Sequence, residues 1–172
     1  MFGFNYQSIV GAHQYYRIVT AAFSHQGIAH ILFNMLALAV FSVGLENDYG
    51  TCFFMAINFG ILIICSLIQI TYYHARIFWL PISLGGGQLE AMSTYAVGYS
   101  AILFGLIMLI SLTGDRYMNF YGCNLPKIAL PFIYLFMSQA IAPNADMFGH
   151  ISGIMAALIL KYLGFYSMRL LP

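Results

Sequence analysis

Five apolar segments, separated by polar turns and loops, occupy most of this chain of 172 residues. Only 6% of the residues are charged, whereas about 25% would be usual in a soluble domain. A helix needs about 20 apolar residues in a row to cross the hydrocarbon of a bilayer. The pattern therefore predicts an all-α polytopic membrane protein in one domain, with transmembrane helices at 27–45, 51–73, 95–112, 126–142 and 147–166.

Two stretches outside these predicted spans are long. Residues 1–26 mix aromatic with polar side chains, which predicts an interfacial arm at the level of the lipid headgroups followed by a first loop. Residues 74–93 contain Gly85, Gly86 and Gly87 in a row and predict a long loop. A mobile cover over a site and a plain flexible linker both fit such a loop, and the sequence leaves the two open.

The distribution of charge predicts an orientation and excludes one class of partner. Lys and Arg are more frequent where spans one, three and five end (Arg116, Lys127, Lys161, Arg169) than on the other side (Arg17, Arg76). The positive-inside rule then places the carboxyl terminus in the cytosol and the 74–93 loop outside or in a lumen. A net charge of +1 argues against a nucleic-acid partner.

Three polar residues within the predicted spans lie at one depth. Spans one, three and five run in the same direction, and His30, Ser100 and His150 each lie three to five residues from the start of their span. At about 1.5 Å of rise per residue they fall within about one helical turn of each other. Asn34 follows His30 by four residues, on the same helix face and one turn deeper.

Three interpretations of this polar layer fit the pattern. A histidine that removes the proton of a serine hydroxyl would make a hydrolase, with the other polar groups as donors to an oxyanion. The same side chains could instead bond one another as glue between helices. A metal or transport site is the weakest interpretation, because no carboxylate or thiolate lies at that depth.

The spacing of these residues resembles the rhomboid family of intramembrane serine proteases, from about Tyr16 to Tyr166. Gly98-Tyr99-Ser100 is similar to the family's Gly-x-Ser core. Gly149 and His150, with Gly153, are similar to its small-His-x-x-Gly motif. The other positions that match the family's pattern are Tyr16, Arg17, Thr20, Phe23, His25, His30, Asn34, Met35, Glu46 and Gly50.

This resemblance implies roles for individual residues. Ser100 would be the nucleophile and His150 the general base, and His30, Asn34 and the Ser100 amide would form the oxyanion hole. Supporting positions would be Gly98, Ala101, Phe104, Gly149, Gly153, Arg17 and Glu46. The substrates implied are transmembrane segments of other proteins, cut within the lipid bilayer without cofactor or metal. The alternative within the family is an inactive adaptor that binds transmembrane clients.

The chain departs from the family's pattern in three places. Ala101 stands where the usual motif has a second glycine, and Ala157 replaces a later glycine of the last helix. The family's first helix is missing from the five spans visible here. The Ala-Val-Gly-Tyr-Ser run, with Pro126 and Pro131, looks most like the endoplasmic-reticulum branch of eukaryotic rhomboids and its plant relatives. That likeness favours an endomembrane, the endoplasmic reticulum or the Golgi.

Overall fold

A computed structural model of the chain describes residues 2–79, 92–120 and 122–164. The triple glycine of the predicted loop lies outside these residues. The described part is mostly helical, with α1 (Arg17–Phe23), α2 (Ile28–Tyr49), α3 (Thr51–Phe78), α4 (Ser100–Ser111), α5 (Leu130–Ile141) and α6 (Met147–Tyr162). Two shorter helical elements are a π-helical turn at Gln7–Gly11 and a 3-10 turn at Lys127–Ala129.

Helices α2 and α3 are long and apolar enough to cross a membrane, with 22 and 28 residues. They are separated only by Gly50, whose φ of 77° is a backbone conformation that residues with a side chain rarely adopt. Helices α4, α5 and α6 are shorter apolar helices. Many apolar side chains of α2 and α5 are exposed, as expected of surfaces that face lipid; they include Ile28, Leu32, Phe33, Phe132 and Phe136.

Helix α4 begins at Ser100, five residues after the start of the predicted third span. The residues before it are held in extended backbone, because Phe4 and Ala96 exchange two backbone hydrogen bonds of 2.8 and 2.9 Å. Gly98 then takes a φ of 111°, which an L-residue rarely adopts. The chain therefore turns sharply into α4, and Ser100 becomes the first residue of the helix.

The core is built around α4, which is buried along nearly its whole length and packs against α3 and α6. Its contact with α6 is so close that backbone touches backbone. A Cβ added to Gly153 would lie 1.8 Å from the carbonyl oxygen of Ala101, and one added to Gly105 would lie 3.0 Å from the carbonyl oxygen of Gly153. Small residues allow helices in lipid to approach in this way.

The amino-terminal arm folds onto the protein. Phe4, Tyr6 and Ile9 are buried in a second cluster with residues of α1 and α3. The side chain of Asn5 is 2% exposed and donates to the carbonyls of Met92 and Thr94 at 2.7 and 2.9 Å. The predicted depth of this arm, at the headgroup level, stays a prediction. Its contacts tie it to the segment that leads into Ser100.

A small antiparallel hairpin lies where the sequence predicted only a polar loop. Strands β1 (Tyr117–Phe120) and β2 (Cys123–Pro126) pair with Tyr117 opposite Pro126. The Asn119 side chain accepts a hydrogen bond of 2.9 Å from the backbone N–H of Gly122 in the turn. The hairpin connects α4 to α5.

Candidate active site

Ser100 and His150 are hydrogen-bonding partners, with Oγ and Nε2 3.0 Å apart. The serine is the first residue of α4, and the histidine lies in the first turn of α6. The close crossing of these two helices at Ala101 and Gly153 brings the side chains together. The serine hydroxyl therefore lies where an imidazole can take its proton.

The His150 ring is held by packing. Phe104, one turn after Ser100, stacks on it with ring centroids 4.4 Å apart and an angle of 27° between the planes. The histidine is only 6% exposed. Its Nδ1 has no hydrogen-bond partner among the described residues. No carboxylate of the described chain therefore orients this imidazole, and the stacked aromatic ring does so instead.

Because Gly98 has no side chain, the His30 ring can lie close to the start of α4. A Cβ on Gly98 would lie 2.7 Å from both Cε1 and Nε2 of His30. The Gly98 amide donates to the carbonyl of Ala21 at 2.9 Å, which fixes the turn. His25 packs edge to face against the His30 ring, with centroids 5.0 Å apart and an interplanar angle of 74°.

Asn34 reaches the same place from one turn deeper in α2. Its Nδ2 donates to the His30 carbonyl at 3.0 Å and would be 3.5 Å from a Cβ on Gly98. An amide nitrogen carries two N–H groups, so this bond leaves a second one for another acceptor. The backbone N–H of Ser100 is a third available hydrogen-bond donor beside those of His30 and Asn34, since the first N–H groups of a helix have no partner within it.

The remaining predicted site residues divide into near and distant ones. Gly149 lies against the Asp146 carboxylate, whose Oδ2 would be 2.8 Å from a Cβ there. Arg17 donates to Gln14 and to the Gly3 carbonyl, at 2.6 and 3.0 Å, and so ties down the arm. Glu46 lies sixteen residues after His30 on α2, about 24 Å along the helix axis, and is not brought to the site.

Asp146 directly precedes the first turn of α6, four residues before His150. Burial raises the pKa of its carboxyl group, and the backbone N–H groups of Gly149 and Phe148 partly oppose that rise. Its Oδ2 has no hydrogen-bond partner in the described part of the chain. The carboxylate is therefore incompletely compensated for its loss of water.

Two sets of side-chain hydrogen bonds near the site were not predicted from the sequence. The hydroxyl of Tyr99 donates to Asn58 at 2.6 Å, and Asn58 donates to the Phe54 carbonyl at 2.7 Å. Gln69 donates to the buried hydroxyl of Ser152 at 3.1 Å, which joins α3 to α6. In the sequence, the only indication of these contacts was that Asn58 and Gln69 are polar residues within an otherwise apolar span.

Within the described ranges, no group of three or more His, Cys, Asp or Glu side chains is placed to hold a metal ion.

Comparison with known proteins gives one family and several relatives. The family model described as Rhomboid domain matches residues 12–167. Rhomboid-like protein 14, mitochondrial, of Arabidopsis thaliana is 26% identical over 160 residues, covering 88% of this chain and 44% of the relative. Rhomboid-like protein 15 of the same plant is 30% identical over 162 residues, covering 90% and 38%.

A bacterial protein is similar over almost the whole chain. Rhomboid protease GluP of Bacillus subtilis is 27% identical over 181 residues, covering 99% of this chain and 31% of the relative. The chain thus spans less than half the length of each of these relatives. No solved structure matches it.

Proposed function

The chain belongs to the rhomboid family, and we propose that it is an intramembrane serine endopeptidase that cleaves transmembrane segments of other membrane proteins. The match over residues 12–167 confirms the predicted family and, with it, the all-α polytopic membrane fold. The observation that carries the proposed activity is the 3.0 Å contact between Ser100 Oγ and His150 Nε2.

In the proposed mechanism, His150 acts first as a base. It takes the proton of the Ser100 hydroxyl while the oxygen attacks the scissile carbonyl carbon and forms a tetrahedral intermediate. When that intermediate collapses, the C–N bond breaks and the imidazolium gives its proton to the leaving amine. A water then hydrolyses the acyl-serine by the same proton transfers, and free enzyme returns.

The negative charge on the intermediate's oxygen needs donors fixed in advance. In this proposal they are His30, the free N–H of Asn34 and the backbone amide of Ser100. The position of Ser100 at the start of α4 adds the positive end of a helix dipole. The Gly98 turn supports the assignment, because only a residue without a side chain leaves room for His30 beside it.

The proposed substrates follow from the physics of helices in lipid. Every backbone group of a transmembrane helix is bonded within the helix, so its carbonyls are closed to attack until the helix is locally unwound. Segments with Gly, Pro or other helix-breaking residues near the outer or lumenal end should therefore be cleaved best. A matched pair of reporter segments, with and without one such residue, tests this preference directly.

Fluorophosphonate labelling of the detergent-solubilised protein tests the activity itself. The parent should label, while Ser100→Ala and His150→Ala should not. Ser111→Ala is the matched control, because this serine lies on the same helix and, among the described residues, bonds only to Met108. No labelling of a folded parent would favour the alternative, an inactive adaptor that binds transmembrane clients.

The proposed location is an endomembrane, the endoplasmic reticulum or the Golgi. Its support is the likeness of the run that ends at Ser100, with Pro126 and Pro131, to the endoplasmic-reticulum branch of the family. One relative is named mitochondrial, so the two possibilities need a direct comparison. Imaging of a tagged full-length protein against markers of all three organelles decides it, and a mitochondrial signal would contradict the proposal.

A further inference from the structure

A second concave site lies at the far end of α2. This cleft, called here the Asp48–Lys127 cleft, has a volume of about 450 Å³, and its lining includes Phe41, Leu45, Asp48, Ile110, Thr113 and Lys127. Asp48 follows His30 by eighteen residues, which puts the cleft about 27 Å along the helix axis from the candidate active site. Its volume is within the range of sites that hold small molecules.

The lining changes from apolar to polar along the helices. Phe41 lies seven residues before Asp48 on α2, or about 10 Å deeper. Ile110 similarly precedes Thr113 at the end of α4. The apolar side chains thus lie deeper along the helices than the polar ones, which lie where the helices end. A ligand that matches this gradient has a polar head and at least one apolar tail.

Two opposite charges line the cleft without neutralising each other. Lys127 is half-buried, and its Nζ would be 3.6 Å from a Cβ on Gly114 at the cleft wall. Asp48 is exposed and also lines the cleft. Neither side chain forms an ion pair with any residue that the structure describes. A ligand with both an anionic and a cationic group would satisfy the two at once.

We propose that the Asp48–Lys127 cleft binds a zwitterionic aminophospholipid. The phosphate would bind Lys127, the primary ammonium group would bind Asp48, and the acyl chains would follow Phe41, Leu45 and Ile110. A basic group between helices is a recognised site for a lipid phosphate on the cytoplasmic side, and the predicted orientation puts this cleft on that side. An acidic lipid without an amine would bind less well, because its negative headgroup would lie beside Asp48. This inference does not depend on the proposed protease activity.

Thermal unfolding of the delipidated full chain in detergent measures the binding. A phosphatidylethanolamine should raise the melting temperature saturably, by roughly 5–10 °C at one hundred times its Kd. Phosphatidylglycerol, which lacks the amine, should raise it less. Glycerophosphoethanolamine, which has the head but no chains, separates a lipid site from a site for a soluble phosphate, and it should have little effect.

Variants assign the two charges. Lys127→Gln should remove most of the rise with either lipid, whereas Asp48→Asn should abolish the preference for phosphatidylethanolamine over phosphatidylglycerol. Asp115→Asn and Arg116→Gln are matched controls, because these exposed charges lie near the cleft without lining it. Native mass spectrometry of the same samples should find one tightly held aminophospholipid per parent chain and none in Lys127→Gln.

Two results would overturn the proposal. Equal rises in the parent and in both cleft variants would mean that lipid acts only as a general solvent of the apolar surface. A rise with glycerophosphoethanolamine as large as that with the intact lipid would mean a soluble ligand. Because Asp48 is exposed, its variant should fold even if Lys127→Gln does not, and the headgroup preference can then be read from Asp48→Asn alone.

Discussion

The ring of His30 occupies the space that a side chain at residue 98 would need. A Cβ on Gly98 would lie 2.7 Å from two atoms of the imidazole, and the glycine has a φ of 111°. Two independent reasons therefore favour glycine at this position: its positive φ and the closeness of the His30 ring. The requirement links the turn before Ser100 to the proposed oxyanion donor on α2.

Gly98→Ala should impair the site more than it impairs the fold. The positive φ alone costs about 1–3 kcal/mol, and the added methyl must also displace His30, which should slow fluorophosphonate labelling by roughly 100-fold. Gly122→Ala is the control, because Gly122 has a φ of 85° and no described neighbour within 4 Å of its Cβ position. If the two variants label equally fast, the contact with His30 has no part in the site.

Gly153→Ala should separate the two helices that carry Ser100 and His150. The clashing atom is a backbone oxygen at 1.8 Å, which cannot rotate away as a side chain can. Overpacking of this kind costs about 1–3 kcal/mol or more, and labelling should be lost with it. Thermal unfolding in detergent measures the stability of the variant. Labelling of the folded fraction measures the reactivity of Ser100.

Gly44→Ala provides the matched helix glycine for that experiment. Outside its own helix backbone, no described residue lies within 4 Å of a Cβ at Gly44, and alanine is favoured over glycine within a helix by about 1 kcal/mol. It should therefore leave the melting temperature unchanged or raise it slightly. A Gly153→Ala protein as stable and as reactive as Gly44→Ala would show that α4 and α6 adjust to the methyl group.

The meeting of Ser100 with His150 was predictable because depth in a bundle follows from counting residues. Spans that run in the same direction and rise by about 1.5 Å per residue bring equal offsets to equal depths. The structure then puts the two side chains 3.0 Å apart. The catalytic roles of these residues, and of His30 and Asn34, remain proposals that the labelling experiment tests.

What the sequence did not predict depends on contacts between distant parts of the chain. Residues 95–99 are apolar or small and continue the pattern of span three, yet pairing of Ala96 with Phe4 keeps them out of the helix. The hairpin at 117–126 is similarly too short and polar to be distinguished from a loop by periodicity. Tyr99 was assigned no role, because its partner Asn58 lies on another helix.

Asn34→Ala should slow the reaction without stopping it. One donor to an oxyanion is typically worth about 3 kcal/mol, or roughly 100-fold in rate, and in the proposed site His30 and the Ser100 amide remain. The side chain also bonds to the His30 carbonyl, so stability must be measured beside activity. A fall in melting temperature with an unchanged rate in the folded protein would remove Asn34 from the oxyanion hole and leave it a structural role.

Asp146→Asn should make the protein more stable at neutral pH. Burial raises the pKa of Asp146 in the native state, so the native protein binds its proton at a pH where the unfolded chain has already lost it. Stability from this group is then greatest below about pH 4, the ordinary pKa of an aspartate, and is lost as the pH rises through the raised pKa.

Asparagine keeps an oxygen suited to the start of α6 but carries no charge. The difference in melting temperature between variant and parent should therefore be small at pH 4 and grow toward pH 7, and subtracting the two curves removes the contribution of the histidines. A variant less stable than the parent at pH 7 would mean that the attraction of the carboxylate to the N–H groups of Phe148 and Gly149 outweighs the cost of burying it.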